Sequence, residues 1–140
     1  MAEIVPYLSF NGQCEEAFTL SARVFGGQVG AIFRYAGSPM AHQAPPGWQD
    51  KVMHGSVRIG ALELNGADVA SAHDGVPKAF SLSVQIKSVA EAERIFEALA
   101  QDGKVMMPLE ETFWAARFGM VTDRFGIPWM INCEAEQSAT

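Results

Sequence analysis

The amino-acid sequence predicts an α+β fold in which two βαβββ modules form a curled mixed-sheet cleft. The order strand, helix and three strands occurs twice along the chain. In both copies a glycine after the helix precedes a strand that carries valine, as in Gly27-Gln28-Val29 and Gly103-Lys104-Val105. Internal repetition of this kind indicates duplicated structural units. The 140 residues suit a single domain over 1–140, with module one at about 3–68 and module two at about 79–133.

The first module begins with a strand predicted over Ile4–Phe10, in which Leu8 and Phe10 alternate with Tyr7 and Ser9. A helix is predicted over Gln13–Phe25, because its apolar residues recur at helical spacing and Gly26-Gly27 follows. Three further strands are predicted over residues 28–35, 51–59 and 62–67. Gly60-Ala61 separates the last two strands and is typical of a tight hairpin turn with glycine first.

The second module repeats this order, starting with a strand over Phe80–Ile86. Ser88 and Glu91 form a capping-box pattern, which predicts the start of a helix that runs to about Gln101. Asp102-Gly103 ends this helix. The remaining strands are predicted near residues 104–108, 113–122 and 128–133.

Residues 36–50 form the longest irregular stretch, which contains several prolines and glycines. One interpretation is a plain surface connection. The other is a flap over a ligand site, since loops longer than about 12 residues are often functional. Trp48, near the end of the stretch, favours the flap.

Composition excludes several classes of partner. The formal net charge of −6 argues against a broad electrostatic contact with nucleic acid or with an anionic membrane. No apolar run approaches the roughly 20 residues that span a bilayer, and the N-terminal residues do not resemble a secretory signal. We therefore expect a cytoplasmic protein in which Cys14 and Cys133 are reduced thiols.

Four stretches carry a resemblance to a known family. They are Pro6–Gly12, Val24–Gly26, Pro46–His54 and Leu109–Gly126. Together they resemble the PhnB-like branch of the vicinal oxygen chelate superfamily, which includes glyoxalases, bleomycin-resistance proteins and ring-cleaving dioxygenases. The resemblance spans nearly the whole chain and implies a homodimer. It does not imply one function, because this fold supports many chemistries.

Metal-dependent members of that superfamily bind a divalent ion through two histidines and two glutamates. The corresponding positions of this sequence are Tyr7, Glu63, Ser81 and Met130, with Trp129 replacing Met130 if the alignment slips by one residue. Only Glu63 is a competent ligand for a hard or borderline ion. His42, His54 and His73 show no metal-like spacing. We therefore expect no metal and no cofactor.

Strand alternation predicts which side chains line the cleft. The residues expected to pack under the helices are Leu8, Val57, Ile59, Leu62, Leu82 and Val84. Their neighbours, expected in the cleft, are Tyr7, Ser9, His54, Ser56, Arg58, Glu63, Ser81 and Ser83. Trp114, Arg117 and Met130 are expected to join them from the second module.

Each candidate has alternative roles. Arg58 and Glu63 lie across the predicted hairpin and are expected to form a structural ion pair. His54 is either a hydrogen-bonded wall residue or a general acid or base. Trp114 is either core or an aromatic wall for a flat ligand. Arg117 either anchors a carboxylate or phosphate or pairs with a nearby acidic residue among Glu110, Glu111 and Asp123.

These observations lead to one main hypothesis and its alternatives. The main hypothesis is a metal-free protein that binds a small organic molecule between the modules. The alternative is a metal-independent or altered-ligand enzyme, such as a lyase, isomerase or dioxygenase-like protein, that uses His54 and Glu63. Some relatives of this kind are named for a ubiquinone-pathway methyltransferase, but nothing in this sequence resembles a cofactor-binding methyltransferase fold.

Overall fold

The computed structural model describes residues 5–39, 41–70 and 81–134, so the predicted strand starts at Ile4 and Phe80, and His73, lie outside the described residues. The chain divides into two compact units, Met1–Val76 and Pro77–Thr140. Each unit contains one predicted module, and each is described by itself.

The first unit consists of four strands and one helix. They are β1 Tyr7–Phe10, α1 Cys14–Phe25, β2 Gln28–Arg34, β3 Val52–Ile59 and β4 Leu62–Asp68. The strands form one sheet in the order β1-β4-β3-β2. β1 is parallel to β4, whereas β3 is antiparallel to both β2 and β4. Gly60 adopts φ +59° in the β3–β4 turn, which confirms the predicted hairpin with glycine first.

α1 packs on one face of this sheet through a buried stripe at helical spacing. The buried apolar residues of α1 are Cys14, Ala17, Phe18, Leu20 and Val24. Gly66 of β4 lies under the Phe18 ring, since a Cβ at Gly66 would come within 2.8 Å of Phe18 Cζ. The lack of a side chain at Gly66 therefore allows the helix to lie close to the sheet. At its C-terminus α1 ends at Phe25 and is capped by Gly26, which has φ 69° in the left-handed region.

Asp68 satisfies the backbone at the start of α1. The residue before the helix, Gln13, provides no side-chain cap. Instead, Asp68 Oδ1 accepts a hydrogen bond from the Cys14 N–H at 2.8 Å, and Asp68 Oδ2 accepts one from the Val52 N–H at 2.9 Å. Asp68 is only 1% exposed. Its carboxylate therefore connects the end of β4 to the beginnings of α1 and β3, a contact between residues distant in sequence.

The second unit has the same organisation as the first. Its elements are β5 Leu82–Ile86, α2 Val89–Ala100, β6 Lys104–Glu110, β7 Ala115–Thr122 and β8 Pro128–Glu134. The strand order is β5-β8-β7-β6, with β5 parallel to β8 and β7 antiparallel to its two neighbours. Both units are therefore βαβββ modules, and the predicted α+β fold of the glyoxalase/bleomycin-resistance type is confirmed.

Local side-chain hydrogen bonds organise the second unit. Ser88 is the N-cap of α2 and its Oγ accepts the Glu91 N–H at 3.3 Å, as the capping pattern predicts. Asp123, which is 3% exposed, accepts hydrogen bonds from the Phe125 N–H at 2.9 Å and the Ile127 N–H at 3.0 Å. It also accepts the Trp129 indole N–H at 2.9 Å. The β7–β8 turn is therefore organised around a buried carboxylate.

Two predicted features differ from the structure. Leu62 was expected under the helix but is 46% exposed, because it is the first residue after the hairpin turn, whereas Leu64 is fully buried. β7 begins at Ala115 rather than Phe113. Thr112 accounts for the later start, since its N–H donates to Ala115 O at 3.0 Å and its Oγ1 accepts the Ala115 N–H at 3.1 Å.

Residues 36–50 contain a 3₁₀ turn at Ala41–Gln43 and further turns rather than strand. Gln49 holds the stretch together internally, because its Nε2 donates to Ala41 O at 3.0 Å. Among the described residues no helix is long and apolar enough to cross a membrane.

Candidate functional site

The sheet of the first unit has a face directed away from α1, named here the open face of the first unit. Leu8, Val57 and Leu64 are buried on the opposite face, so strand alternation directs their neighbours to the open face. The open face of the first unit carries Tyr7, Ser9, Phe33, His54, Ser56, Arg58, Glu63 and Asn65. The structure therefore brings four of the predicted ligand-binding residues, Tyr7, His54, Arg58 and Glu63, onto one surface.

Three rings form a cluster on this face. Tyr7 Oη and His54 Nδ1 are 3.4 Å apart, and the centroids of these two rings are 5.9 Å apart. The Phe33 ring lies 6.4 Å from the His54 ring, measured between centroids. Tyr7 and Phe33 are each 54% exposed. The cluster is therefore both organised within the protein and accessible to a ligand.

The environment of Tyr7 favours the neutral phenol. Partial burial raises the pKa of Tyr7 above its ordinary value of 10.0, and the nearby Cys14 and Tyr35 add to this increase. A neutral phenol has a hydrogen to donate, and it can donate it to an unprotonated Nδ1 of His54. That interaction would favour the His54 tautomer with its proton on Nε2.

Arg58 and Glu63 are directly opposite each other in the β3–β4 ladder, as expected from the hairpin. The predicted ion pair between them is not formed. The ion pairs found among the described residues involve other arginines, namely Arg34, Arg94 and Arg117. Both charged groups on the open face are therefore in position to contact a bound molecule.

Sequence reasoning missed Phe33 and Asn65. Asn65 could have been predicted from the sequence, because alternation in Leu62-Glu63-Leu64-Asn65 places Asn65 on the same face as Glu63. The position of Phe33 could not have been predicted in this way. The β2–β3 register shifts between Val29 and Ile32, and such a bulge changes which face each following side chain occupies.

The second sheet also has a face directed away from its helix, named here the open face of the second unit. It carries Ser83, Gln85, Phe118, Met120, Met130 and Asn132. Asn132 Nδ2 donates to Gln85 Oε1 at 2.8 Å, and Gln85 Nε2 donates to Ser83 Oγ at 3.0 Å. The polar groups of this face are therefore neutral amides and a hydroxyl arranged in a chain.

The predicted residues of the second module fall into different surroundings. Met130 lies opposite Ser83 on the open face, and Ser81 precedes the first residue of β5. Trp114 is 50% exposed, and its ring centroid lies 5.4 Å from that of Phe118 on the same open face. The aromatic-wall interpretation of Trp114 therefore agrees with its placement better than the core interpretation does.

Arg117 lies on the helix-bearing face, which differs from its expected position beside Met130. Its Nε lies 3.6 Å from Glu93 Oε1 of α2, and its Nη1 donates to Ala116 O at 2.6 Å. Arg117 and Phe118 are consecutive strand residues and therefore point to opposite faces. Since Phe118 occupies the open face, Arg117 faces α2 and forms an ion pair with an acidic residue that the sequence did not single out.

The metal-ligand positions implied by the resemblance do not fit a hard divalent ion. Tyr7 is held as a neutral phenol, Met130 offers a soft thioether, and Ser81 a neutral hydroxyl. Glu63 is the one carboxylate among these positions. Within the described ranges there is also no group of three or more His, Cys, Asp or Glu residues placed to hold a metal ion.

A small hollow of about 80 Å³ lies at the start of α1. Four of its charged side chains, those of Glu15, Arg34, Lys51 and Asp68, are already paired within the protein. Arg34 Nη2 lies 3.0 Å from both carboxylate oxygens of Glu15, and Arg34 Nη1 donates to Asp50 O at 2.9 Å. Lys51 Nζ donates to Gly12 O at 3.0 Å. These contacts anchor the end of the 36–50 stretch to α1, so we interpret the hollow as structural.

Comparisons with known proteins agree with this architecture. Protein YjdN of Escherichia coli is 35% identical over 140 residues, a match that covers 94% of this chain and 95% of the relative. The crystal structure of protein PA1353 from Pseudomonas aeruginosa superposes with a TM-score of 0.84 at 46% identity, covering 97% of this chain and 100% of the other.

Two further solved structures are similar. A putative 3-demethylubiquinone-9 3-methyltransferase, PhnB protein, from Bacillus cereus gives a TM-score of 0.81 at 28% identity, covering 94% of this chain and 99% of the other. The fosfomycin resistance protein FosX from Mesorhizobium loti gives a TM-score of 0.63 at 9% identity, covering 96% of this chain and 94% of the other. The FosX likeness shows the shared fold alone.

The model of the family described as 3-demethylubiquinone-9 3-methyltransferase matches residues 2–132. The match covers almost the whole chain and includes both modules. The chain therefore belongs to this family, the PhnB-like branch of the vicinal oxygen chelate superfamily.

Proposed function

We propose that this protein binds a small organic molecule on the open face of the first unit. The observation that supports the proposal most directly is the cluster of Tyr7, His54 and Phe33. Large aromatic side chains that stay half exposed on an ordered sheet mark interaction surfaces, because the protein gains nothing for its own core from them.

The chemistry of the face favours a flat ligand with a polar substituent. The rings of Tyr7 and Phe33 offer apolar area, and the imidazole of His54 lies between them. Arg58, Glu63 and Asn65 add a cation, an anion and an amide on the same face. An apolar body combined with a few placed polar groups is the usual composition of ligand sites.

A ligand-observed NMR screen tests the proposal, using flat aromatic carboxylic acids such as 2-naphthoate together with their neutral amides. We expect hits whose affinity falls by about fivefold or more in Phe33→Ala and in His54→Ala, because each variant removes a ring from the cluster. Met106→Ala is the matched control, since Met106 is 56% exposed but lies on β6. Hits that bind Phe33→Ala and His54→Ala as tightly as the unmodified protein would refute the site.

The enzyme alternative is favoured by one observation, the 3.4 Å approach of Tyr7 Oη to His54 Nδ1. Donation from Tyr7 to Nδ1 leaves the His54 proton on Nε2, so an imidazole oriented in this way presents an N–H donor to a ligand, as a general acid requires. For any compound that the protein both binds and converts, we expect His54→Gln to abolish turnover even at saturating concentrations of the compound, which separates the loss of chemistry from the loss of affinity. Unchanged turnover in His54→Gln would remove His54 from any mechanism.

Other expectations from the sequence stay part of the proposal. They are the single domain over 1–140, one cleft shared by the modules, a flap formed by residues 36–50, a homodimer and a cytoplasmic location. The methyltransferase activity in the family's description is not included, because the sequence has no resemblance to a cofactor-binding methyltransferase fold.

A further inference from the structure

The open face of the first unit is ordered in rows that run across its strands, because β3 and β4 pair without a register shift. Ser56 faces Asn65 in one row, and Arg58 faces Glu63 in the next row on the same face. His54 of the ring cluster lies on the other side of the Ser56 row. His54 and Arg58 are four residues apart along β3, which separates their Cα atoms by about 13 Å. A ligand that contacts both the rings and the charges is therefore elongated.

Arg58 and Glu63 present a cation and an anion side by side at one end of this face. They are direct cross-strand neighbours, and side chains in such positions have Cβ atoms about 4.5–5.5 Å apart. Arg58 is exposed and Glu63 is half-buried. Neither takes part in an ion pair found among the described residues. Both charges are therefore available to one and the same ligand group.

This pair of charges disfavours a ligand that carries only one charge. A lone carboxylate in contact with Arg58 comes close to the carboxylate of Glu63, and a lone ammonium in contact with Glu63 comes close to the guanidinium of Arg58. Neighbouring like charges are unfavourable, and repulsion of the wrong partner is a common source of specificity. An ammonium and a carboxylate attached to one carbon atom avoid both conflicts, because each charge then meets its opposite.

We propose that the ligand of this face is an α-amino acid with an extended aromatic side chain. The inference rests on the proposed function, since the aromatic end lies on the cluster of three rings. The carboxylate contacts the guanidinium of Arg58, which suits bidentate binding, and the ammonium contacts the carboxylate of Glu63. Ser56 and Asn65 line the row between the two ends and offer neutral hydrogen-bonding groups.

Three probes that share one aromatic body test the requirement for both charges. They are 4-phenyl-L-phenylalanine, its N-acetyl derivative, which keeps only the carboxylate, and its carboxamide, which keeps only the ammonium. Isothermal titration calorimetry at low ionic strength, where exposed charges are least screened, gives the dissociation constants. We expect the free amino acid to bind the unmodified protein about fivefold or more tightly than either derivative, because each derivative loses an attraction and keeps a repulsion.

Substitutions of the two charges assign each preference to its residue. Glu63→Gln removes the anion, so the free amino acid should lose its advantage over the N-acetyl derivative. Arg58→Gln removes the cation, so the free amino acid should lose its advantage over the carboxamide. Lys104→Gln and Glu110→Gln are the matched controls, because they remove exposed charges of β6 in the second unit and should leave both preferences unchanged.

Phe33→Ala separates a failure of this inference from a failure of the proposed function. Equal dissociation constants for the three probes, all weakened in Phe33→Ala, would keep the aromatic site and overturn the amino-acid ligand. Tighter binding of either derivative than of the free amino acid would overturn it as well. Binding that Phe33→Ala leaves unchanged would place the amino acid elsewhere and overturn the inference. No binding of the free amino acid also overturns it, and the naphthoate screen then decides the proposed function separately.

Discussion

Asp68→Asn tests the claim that one buried carboxylate connects three elements of the first unit. The carboxylate accepts the N–H of Cys14 at the start of α1 and the N–H of Val52 at the start of β3, at 2.8 and 2.9 Å. Asparagine has nearly the same shape but offers one acceptor oxygen. Its amide NH₂ must then face a backbone N–H, so two donors meet at one of the two positions.

The expected cost follows from these two hydrogen bonds. A hydrogen bond to a charged group contributes about 1.5–3 kcal/mol, and a buried donor left unpaired costs about 1–3 kcal/mol. Asp68→Asn loses one bond outright and removes the charge from the other, so we expect the free energy of unfolding to fall by about 2–4 kcal/mol. Asp68→Ala leaves both N–H groups unpaired and should cost about 3–5 kcal/mol.

Urea unfolding followed by far-ultraviolet circular dichroism measures this change. A loss of about 3 kcal/mol corresponds to a decrease of roughly 1–3 M in the urea midpoint, since urea slopes are about 1–3 kcal/mol per molar. Asp102→Asn is the matched control, because Asp102 is exposed and has φ 59°, a conformation that asparagine accepts readily. A midpoint for Asp68→Asn within the scatter of the Asp102→Asn control would refute the reasoning.

Three further changes have defined outcomes. Burial, with Asp68 and Glu15 nearby, raises the pKa of Cys14 from 9.0 to about 12, so the folded state keeps a proton that the unfolded chain releases. Stability should therefore fall as pH rises from 9 towards 12, at up to about 1.4 kcal/mol per pH unit, and Cys14→Ala should flatten that slope. Ser88→Ala removes the cap of α2 and should cost about 1 kcal/mol in urea unfolding, whereas Ser88→Asp should retain most of the stability. Gly66→Ala places a Cβ 2.7 Å from the backbone oxygen of Leu8 and 2.8 Å from the Phe18 ring, and it should cost about 1–3 kcal/mol, measured as a shift in thermal midpoint.

Each of these has an outcome that would contradict it. Equal slopes of stability against pH for Cys14→Ala and the unmodified protein would show that Cys14 does not carry the alkaline dependence. Equal losses of stability in Ser88→Ala and Ser88→Asp would show that the loss does not come from capping of α2. A Gly66→Ala protein as stable as the unmodified one would mean that Phe18 and the β1 backbone at Leu8 both move aside at no cost.

The element order was predictable because it depends on local patterns. The Ser88 cap, the glycines after both helices and the hairpin glycine at position 60 act within a few residues of themselves. The same is true of the alternation that placed Tyr7 and Glu63 on one face. The boundaries of the helices and strands were less predictable. The late start of β7, for example, depends on hydrogen bonds of Thr112 that hydrophobic periodicity in the sequence does not reveal.

The sequence by itself determined that the chain contains two βαβββ modules and belongs to the PhnB-like branch, because repetition, periodicity and family motifs are all written in linear order. Only the tertiary structure decided three other points. The β2 bulge brought Phe33 to His54, Arg117 turned towards Glu93, and Asp68 reached the first N–H of α1. Each depends on strand register or on contact between distant residues, and a one-residue change of register moves a side chain to the opposite face of its sheet.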